Sequence, residues 1–103
     1  MDVFEVLADP RRREVVQMLS AGPRRAGELA TATGMSAPAM SRHLKALLNA
    51  GVVADERVPD DARLRMFKLQ PQSLEAVQAF LDQLQAEWNA QLDAFKRHVE
   101  AKR

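Results

Sequence analysis

Four side chains able to do polar chemistry lie within five residues, at Ser41, Arg42, His43 and Lys45. A serine and a histidine could form a nucleophile and its base, but residues two positions apart on a helix do not face each other. The chain also has no glycine-rich phosphate loop and no nucleophile elbow. The cluster therefore favours binding through hydrogen bonds and positive charge, and we expect no enzyme activity.

A second set of reactive residues, Asp93, His98 and Glu100, could in principle hold a metal ion. Spacings of five and two residues do not stack ligands on one helical face. The chain has no cysteine, which excludes thiolate sites and disulfides. A lone surface histidine is the simpler interpretation of His98, so we expect no metal site and no cofactor.

Length and charge narrow the class of protein only slightly. The chain has 103 residues, enough for one domain with a modest core. Fifteen basic and fourteen acidic residues give a net charge of +1, so composition alone does not indicate a nucleic-acid binder. The N-terminus lacks the pattern of a signal peptide, and no apolar run approaches the roughly 20 residues that span a bilayer. We expect a cytoplasmic protein that does not enter membranes.

The polar cluster lies in the segment MSAPAMSRHLKALLNAGVV, which predicts a helix that Ser36 caps and Gly51 follows. Its apolar residues form one stripe at helical spacing: Met40, Leu44, Leu47 and Leu48. The opposite face carries Pro38, Ala39, Arg42, Lys45, Ala46 and Asn49. For an isolated helix, a solvated surface is the ordinary interpretation of such a face.

The preceding elements favour a more specific interpretation. We predict a short helix over 2–8, a second that Asp9 caps and that ends near Gly22 and Pro23, and a third over 26–33. Gly34 supplies a left-handed turn before the helix that Ser36 caps. Two helices joined by such a turn form a helix-turn-helix, whose second helix enters the DNA major groove.

After Gly51 the pattern changes to that of a β-hairpin. The runs 52–58 and 63–69 favour strands, and Pro59 to Ala62 would form a four-residue loop. A hairpin in this place is the wing of a winged helix-turn-helix. Its basic residues are Arg57, Arg63, Arg65 and Lys68. They could contact DNA phosphates, or they could keep an edge strand soluble.

From Gln72 to Ala101 the pattern predicts one long helix with an apolar stripe. Such a helix is too long to be buried against the 70 residues before it, and a second copy of the chain is the simplest partner. We expect residues 1–71 to form the DNA-binding part and 72–103 the dimerisation helix of the same domain. The expected dimer contacts are Phe4, Leu81, Leu84, Trp88, Leu92 and Phe95, and Phe80 lies beside the stripe.

Four segments resemble the winged-helix regulators of the ArsR family in order and spacing: VFEVLADPRRREVVQML, GELATATGMS, APAMSRHLKALLNAGVV and RLRMFKLQP. The resemblance implies a dimeric prokaryotic transcription regulator, usually a repressor, whose terminal helices form the dimer interface. By the same resemblance Ser36, Ser41, Arg42 and His43 fall on positions that contact DNA.

The chain departs from the family pattern at three places. Ala37 stands where glutamine is often found, so an amide able to read adenine is missing. The wing tip has Ala62 where glycine is common, and Asp60 and Asp61 would repel phosphates. Because it has no cysteine, the chain resembles the branch of the family that does not sense metals.

The sequence thus predicts a mainly α protein with a small β-hairpin, folded as a winged helix-turn-helix. It would form a homodimer, bind double-stranded DNA and repress transcription. Arg42 and Ser41 would approach base edges, and Lys45, His43, Arg63, Arg65 and the arginines at 11–13 would contact the backbone. Ala39 is a further expected DNA contact, because it lies on the same face of the helix. The alternative is a winged helix whose recognition surface binds a protein instead of DNA. The operator, the regulated genes and the existence of an effector stay open.

Overall fold

The computed structural model describes residues 2–102, and within them the chain is mainly helical, as predicted. Its helices are α1 (Val3–Ala8), α2 (Pro10–Leu19), α3 (Ala26–Thr33), α4 (Ala37–Asn49) and α5 (Pro71–Ala101). Strands β1 (Val53–Val58) and β2 (Asp61–Leu69) form an antiparallel hairpin between α4 and α5. Within this part of the chain, no helix is both long and apolar enough to span a lipid bilayer.

Side-chain caps fix where the first, second and fourth helices begin. Asp2 accepts the backbone N–H of Glu5 at 2.9 Å, so α1 starts one residue later than predicted. Asp9 accepts the N–H of Arg11 at 2.8 Å, and Ser36 Oγ accepts that of Ala39 at 3.2 Å. The latter two caps confirm the prediction, because each satisfies a donor that has no partner within its helix.

Helix α2 ends earlier than the sequence predicts. Its last residue is Leu19, and the segment to Gly22 continues as a tight turn in which Gly22 N–H donates to the Leu19 carbonyl at 3.1 Å. Gly22 has φ 142°, which no helix accommodates. The predicted end near Gly22 and Pro23 is therefore wrong by about one turn, since local turn bonds already replace the helical ones.

Gly34 makes the turn between α3 and α4. Its φ of 72° is left-handed, and the N–H of Met35 donates back to the Ala30 carbonyl at 3.1 Å. Such a glycine ends a helix by satisfying the final carbonyls while the chain changes direction. The predicted bounds of α3 and the predicted role of Gly34 are confirmed.

The core lies where α1 to α4 meet the hairpin. Met40, Leu44 and Leu47 of the predicted stripe are buried, and Leu48 packs against them partly exposed. Phe67 of β2 is 4% exposed, and Leu69 packs beside the core. The other buried apolar residues are Val6, Val15, Leu19, Leu29, Ala30, Val52 and Val53. Burying one face of α4 leaves its opposite face at the surface.

The hairpin differs from its prediction at the tip. Only Pro59 and Asp60 separate the strands, and Asp61 already pairs with Val58. Arg57 then pairs with Arg65, so residues 62–64 form a bulge in β2. The predicted four-residue loop is wrong, because Asp61 binds the backbone N–H of Arg63 at 3.0 Å and holds the bulge.

Two further contacts hold the wing and the long helix to the rest of the chain. Arg24 and Phe67 exchange backbone hydrogen bonds of 3.0 and 2.8 Å, which fix β2 to the segment between α2 and α3. Helix α5 has 31 residues, about 46 Å at 1.5 Å per residue. Near its start Phe80 packs edge-on against Phe4 with ring centres 5.3 Å apart, and every residue from 78 to 102 is exposed. Most of α5 therefore projects from the body.

Candidate nucleic-acid interface

The exposed face of α4 carries two cations without counter-ions. Arg42 and Lys45 are exposed, and within residues 2–102 neither forms an ion pair. Ser41 and Asn49 are also exposed, whereas Ala39 is partly covered. Residues 29–54 contain no aspartate or glutamate, so no acid along this stretch offsets the positive charge. The net charge of the whole chain, +1, does not reveal this local excess of positive charge.

Ser36 lies at the start of the same helix, where its hydroxyl oxygen caps the backbone. A hydroxyl that accepts one hydrogen bond still has its own proton to donate. Ser36 is exposed, so its hydroxyl group is accessible at the end of α4 that would enter a groove first. Capping and contact with a phosphate oxygen are compatible at this residue.

His43 lies off the exposed face and connects α4 to the first two helices. Its Nδ1 accepts a hydrogen bond of 3.3 Å from Arg12 Nε. Arg12 also donates to the Val6 carbonyl at 3.4 Å and lies 3.9 Å from the Asp9 carboxylate. The His43 side chain thus makes a structural hydrogen bond within the chain.

The arginines of α2 have different surroundings. Arg11 donates to the Thr33 carbonyl at the end of α3 at 3.2 Å and pairs with Glu14. The side chain of Arg12 is only 15% exposed. Arg13 is exposed and, among the described residues, has no ion pair. Two of these arginines therefore join helices to each other, and one remains for an external anion.

Three basic side chains of the wing pair with carboxylates of the wing. Arg65 pairs with Asp55 at 2.6 Å and lies 5.1 Å from the centre of the Phe67 ring. Arg63 pairs with Asp61 at 3.1 Å, and Lys68 pairs with Glu56 at 2.9 Å. A hydrogen bond from the Arg63 side chain lowers the pKa of Asp61, and one from its backbone N–H lowers it further.

The wing and α4 meet at a small surface cavity. Ser41 and Lys45 of α4 and Arg65 of β2 line this cavity of about 280 Å³. Arg42 lies at a neighbouring depression on α4 with Lys45 and Asn49. The structure thus brings together Ser41, Arg42, Lys45 and Arg65 of the predicted contact residues, while His43 points elsewhere and Arg63 lies near the wing tip.

No set of three or more metal-binding side chains is clustered among residues 2–102. Asp93, His98 and Glu100 lie on the exposed part of α5.

Comparisons with known proteins agree on the kind of protein. A sequence profile of the arsR family of bacterial regulatory proteins matches residues 9–55. The chain is 36% identical over 98 residues to the HTH-type transcriptional regulator Rv2034 of Mycobacterium tuberculosis, across 95% of this chain and 86% of that protein.

Solved structures show the same relationship. An ArsR-like transcriptional regulator from Rhodococcus sp. RHA1 is 30% identical with a TM-score of 0.81, over 92% of this chain and 87% of the other. The homodimeric winged helix-turn-helix DNA-binding domain of Mb0332 from Mycobacterium bovis is 27% identical with a TM-score of 0.64, over 82% and 76%. These relatives are regulators and not enzymes. The chain belongs to the ArsR family of bacterial transcription regulators and has their winged helix-turn-helix DNA-binding fold.

Proposed function

We propose that this chain is a homodimeric, sequence-specific DNA-binding repressor that reads an inverted repeat with α4. The observation that carries the proposal is the exposed face of α4, where Arg42 and Lys45 have no acidic partner. Attraction to phosphates supplies a large share of the affinity in protein–DNA complexes. An unpaired cation can bind a phosphate or base without first breaking an ion pair of its own.

The positions along α4 assign different tasks to its polar residues. Arg42 lies just over one turn into the helix, and its planar fork can pair with guanine O6 and N7. Ser41 beside it is the second candidate for a base edge. Lys45 lies one turn further along, and it and Ser36 would bind backbone phosphates. His43 holds the helix in place through Arg12.

The wing has a secondary place in this proposal. Arg65 and Arg63 are already paired with Asp55 and Asp61, so a phosphate that draws either side chain away exchanges one ion pair for another. Such an exchange gains little free energy, since exposed pairs contribute only about 0–1 kcal/mol. The proposal therefore gives base reading to α4 and phosphate contacts to Lys45, Arg13 and the wing arginines, in that order.

Dimerisation follows from the apolar side chains that α5 leaves uncovered. Five large apolar side chains of α5 are each about half exposed or more: Leu81, Leu84, Trp88, Leu92 and Phe95. A soluble monomer rarely exposes so large a contiguous apolar patch. Phe4 of α1, 48% exposed, continues this surface. The homodimeric Mb0332 domain supports the same assembly. A two-fold dimer presents two copies of α4 to half-sites about 34 Å apart or a multiple of that.

The experiment begins by selecting duplexes that the protein retains from a random pool, and it then measures affinity by fluorescence anisotropy. Arg42→Ala should cost about 1–3 kcal/mol per half-site and relax preference at one base position. Lys45→Ala should weaken binding to all sequences alike and flatten the salt dependence. Arg97→Ala is the matched control, since Arg97 is exposed and lies on α5 away from α4.

Failure of the proposal has a clear form. If Arg42→Ala and Lys45→Ala both remain folded dimers and bind the selected duplex as tightly as the parent, α4 is not the reading element. The exposed face of α4 would then serve a protein partner, which is the alternative that the near-neutral charge of the chain favours.

A further inference from the structure

A surface cavity of about 810 Å³ lies between α3 and the wing. The start and the outward face of α3 form one wall, from Arg25 to Ala32, and residues 63–67 of β2 form the other. Sites that bind small molecules have volumes of about 300–1,000 Å³. The proposed function gives this cavity no role.

The bulge in β2 brings three consecutive side chains to the cavity. In a regular strand, neighbouring side chains point to opposite faces, yet Arg63, Leu64 and Arg65 all line it. Residues 62–64 interrupt the pairing of the strands, and a bulge of this kind re-aims side chains. Asp61 holds the bulge through the backbone N–H of Arg63. The shape of the wing thus places two guanidinium groups and one apolar side chain at the same site.

Both walls of the cavity offer apolar surface. Ala26 and Ala32 of α3 and Leu64 and Phe67 of β2 contribute it. Phe67 belongs to the core, and Ala26 and Leu64 are partly buried, so the fold holds this surface in place. Apolar walls with a few polar groups are the ordinary composition of a small-molecule site.

The charged groups of the cavity are mainly positive. Among the described residues that line it are three arginines, Arg25, Arg63 and Arg65, and one acid, Glu28. Two of the arginines have carboxylate partners on the wing, but a guanidinium has more N–H donors than one carboxylate uses. Arg25 donates to Glu28 through Nε, and within residues 2–102 neither of its terminal amino groups has a hydrogen-bond partner. An anion can therefore bind here without first breaking an ion pair.

We propose that this cavity binds a small organic anion, a carboxylate with an apolar body, which acts as an effector. The carboxylate accepts hydrogen bonds from the terminal amino groups of Arg25, and Arg63 and Arg65 add positive charge from the opposite wall. The apolar body covers Leu64 and Ala32.

The position of the cavity connects it to DNA binding. Ala26 and Arg65 also line the smaller cavity that contains Ser41 and Lys45 of α4. An anion bound beside Arg65 lies next to the surface that would meet DNA phosphates, and like charges at short distance repel each other. Ligand binding should therefore weaken the complex with DNA. This effect, unlike the site itself, rests on the proposed function.

Binding is tested on the full chain with 2-naphthoate, which combines a carboxylate with an apolar ring system. The measurement is the change in backbone amide chemical shifts. 2-Naphthoate should shift the signals of residues 25–32 and 63–67, with a dissociation constant of about 1 mM or lower. The neutral compound 2-naphthol should bind at least about tenfold more weakly, because it cannot form charge-assisted hydrogen bonds with an arginine.

Two neighbouring arginines provide a matched pair of variants. Arg25→Gln removes a charge from the cavity, and Arg24→Gln removes the same charge from a residue that does not line it. The first should weaken 2-naphthoate binding about tenfold and the second should leave it unchanged. Ala32→Phe, at an exposed position, should fill the cavity and prevent binding of both compounds. Thermal unfolding of each variant establishes that it folds.

The effect on DNA is measured by fluorescence anisotropy with the selected duplex. Saturating 2-naphthoate should weaken the affinity of the parent at least about fivefold, and the same concentration should leave the affinity of Arg25→Gln nearly unchanged. Sodium chloride at equal ionic strength is the control, because salt alone weakens protein–DNA complexes.

The outcomes separate this inference from the proposed function. Equal binding of 2-naphthoate and 2-naphthol, equal loss of binding in Arg24→Gln and Arg25→Gln, or no saturable shift at the cavity overturns the anion site. Binding at the cavity with no change in affinity for the duplex overturns the effector role. A chain that binds 2-naphthoate at the cavity but retains no duplex from the random pool contradicts the proposed function and leaves the site standing.

Discussion

Arginine has two different roles in this protein, and the surroundings of each side chain decide which. Arg12 is mostly buried and binds His43, Val6 and Asp9, so its charge holds α4 against α1 and α2. Arg42 is exposed and has no partner among the described residues. The first arginine contributes to stability and the second is available for recognition. The sequence alone does not distinguish the two roles, because they depend on contacts with residues distant in the chain.

Asp9 provides a test of how charge contributes to stability. Hydrogen bonds from the backbone N–H groups of Arg11 and Arg12 lower its pKa, the Arg11 bond most strongly. A carboxylate with a lowered pKa stabilises the fold above its ordinary pKa of about 4, and this contribution is lost as pH falls through the lower folded value. We expect the free energy of unfolding of Asp9→Asn to fall less steeply than that of the parent below about pH 4.

The comparison is made by denaturant unfolding at fixed protein concentration across a series of pH values. Asparagine keeps an oxygen that accepts the cap bonds, so Asp9→Asn removes the charge and retains the cap. Asp9→Ala removes both and should cost about 1 kcal/mol even at neutral pH. Glu28 and Asp61 also have lowered pKa values, so the informative quantity is the difference between variant and parent. Parallel curves for Asp9→Asn and the parent would contradict the expectation.

The turn between α3 and α4 sets the angle at which the recognition helix is presented. Gly34 and Gly27 offer a matched pair, because a Cβ atom at either position would meet no heavy atom within 4 Å. They differ in backbone conformation: Gly34 has a left-handed φ of 72°, and Gly27 lies within α3. We expect Gly34→Ala to destabilise the protein by about 1–2 kcal/mol and Gly27→Ala to stabilise it by up to about 1 kcal/mol.

Thermal and denaturant unfolding of the two glycine variants measure this difference. Because the turn sets the angle of α4 relative to the wing, Gly34→Ala should also reduce affinity for the selected duplex. Equal stability of the two variants would mean that the turn adapts without strain.

The helices and the core were predictable because their signals are local. Caps at Asp9 and Ser36, the left-handed Gly34 and the stripe of α4 each depend on residues within one or two turns. The tip of the hairpin was not predictable from strand propensity, because the hydrogen bonds of Asp61 to Arg63 moved the strand start. Contacts between residues distant in the chain were missed because no local pattern marks them, including the Arg12–His43 bond and the Asp55–Arg65 pair.

Considered as one particle, the protein combines a body of low net charge with a projecting apolar helix. The overall extents of 71 × 26 × 23 Å reflect α5, whose residues 78–102 are all exposed. A net charge of +1 gives the monomer little long-range attraction for DNA. Two copies of α4 held by one dimer bind two half-sites together, so the second contact becomes intramolecular. Affinity for an operator should then depend on the dimer as much as on the recognition helix.

Trp88→Ala tests this dependence. If Trp88 is buried at the dimer interface, its truncation should weaken the dimer by about 3–5 kcal/mol, by analogy with core truncations, and sedimentation equilibrium should show dissociation at micromolar concentration. The melting temperature of the parent should rise with protein concentration, and that of the variant should not. Arg97→Ala is again the control and should remain dimeric. In Trp88→Ala, affinity for a duplex with one half-site should be unchanged, while binding to the inverted repeat is lost. Arg42→Ala should do the reverse, because it weakens binding to each half-site and leaves the dimer intact. A Trp88→Ala variant that is as dimeric as the parent would place the interface elsewhere on the surface.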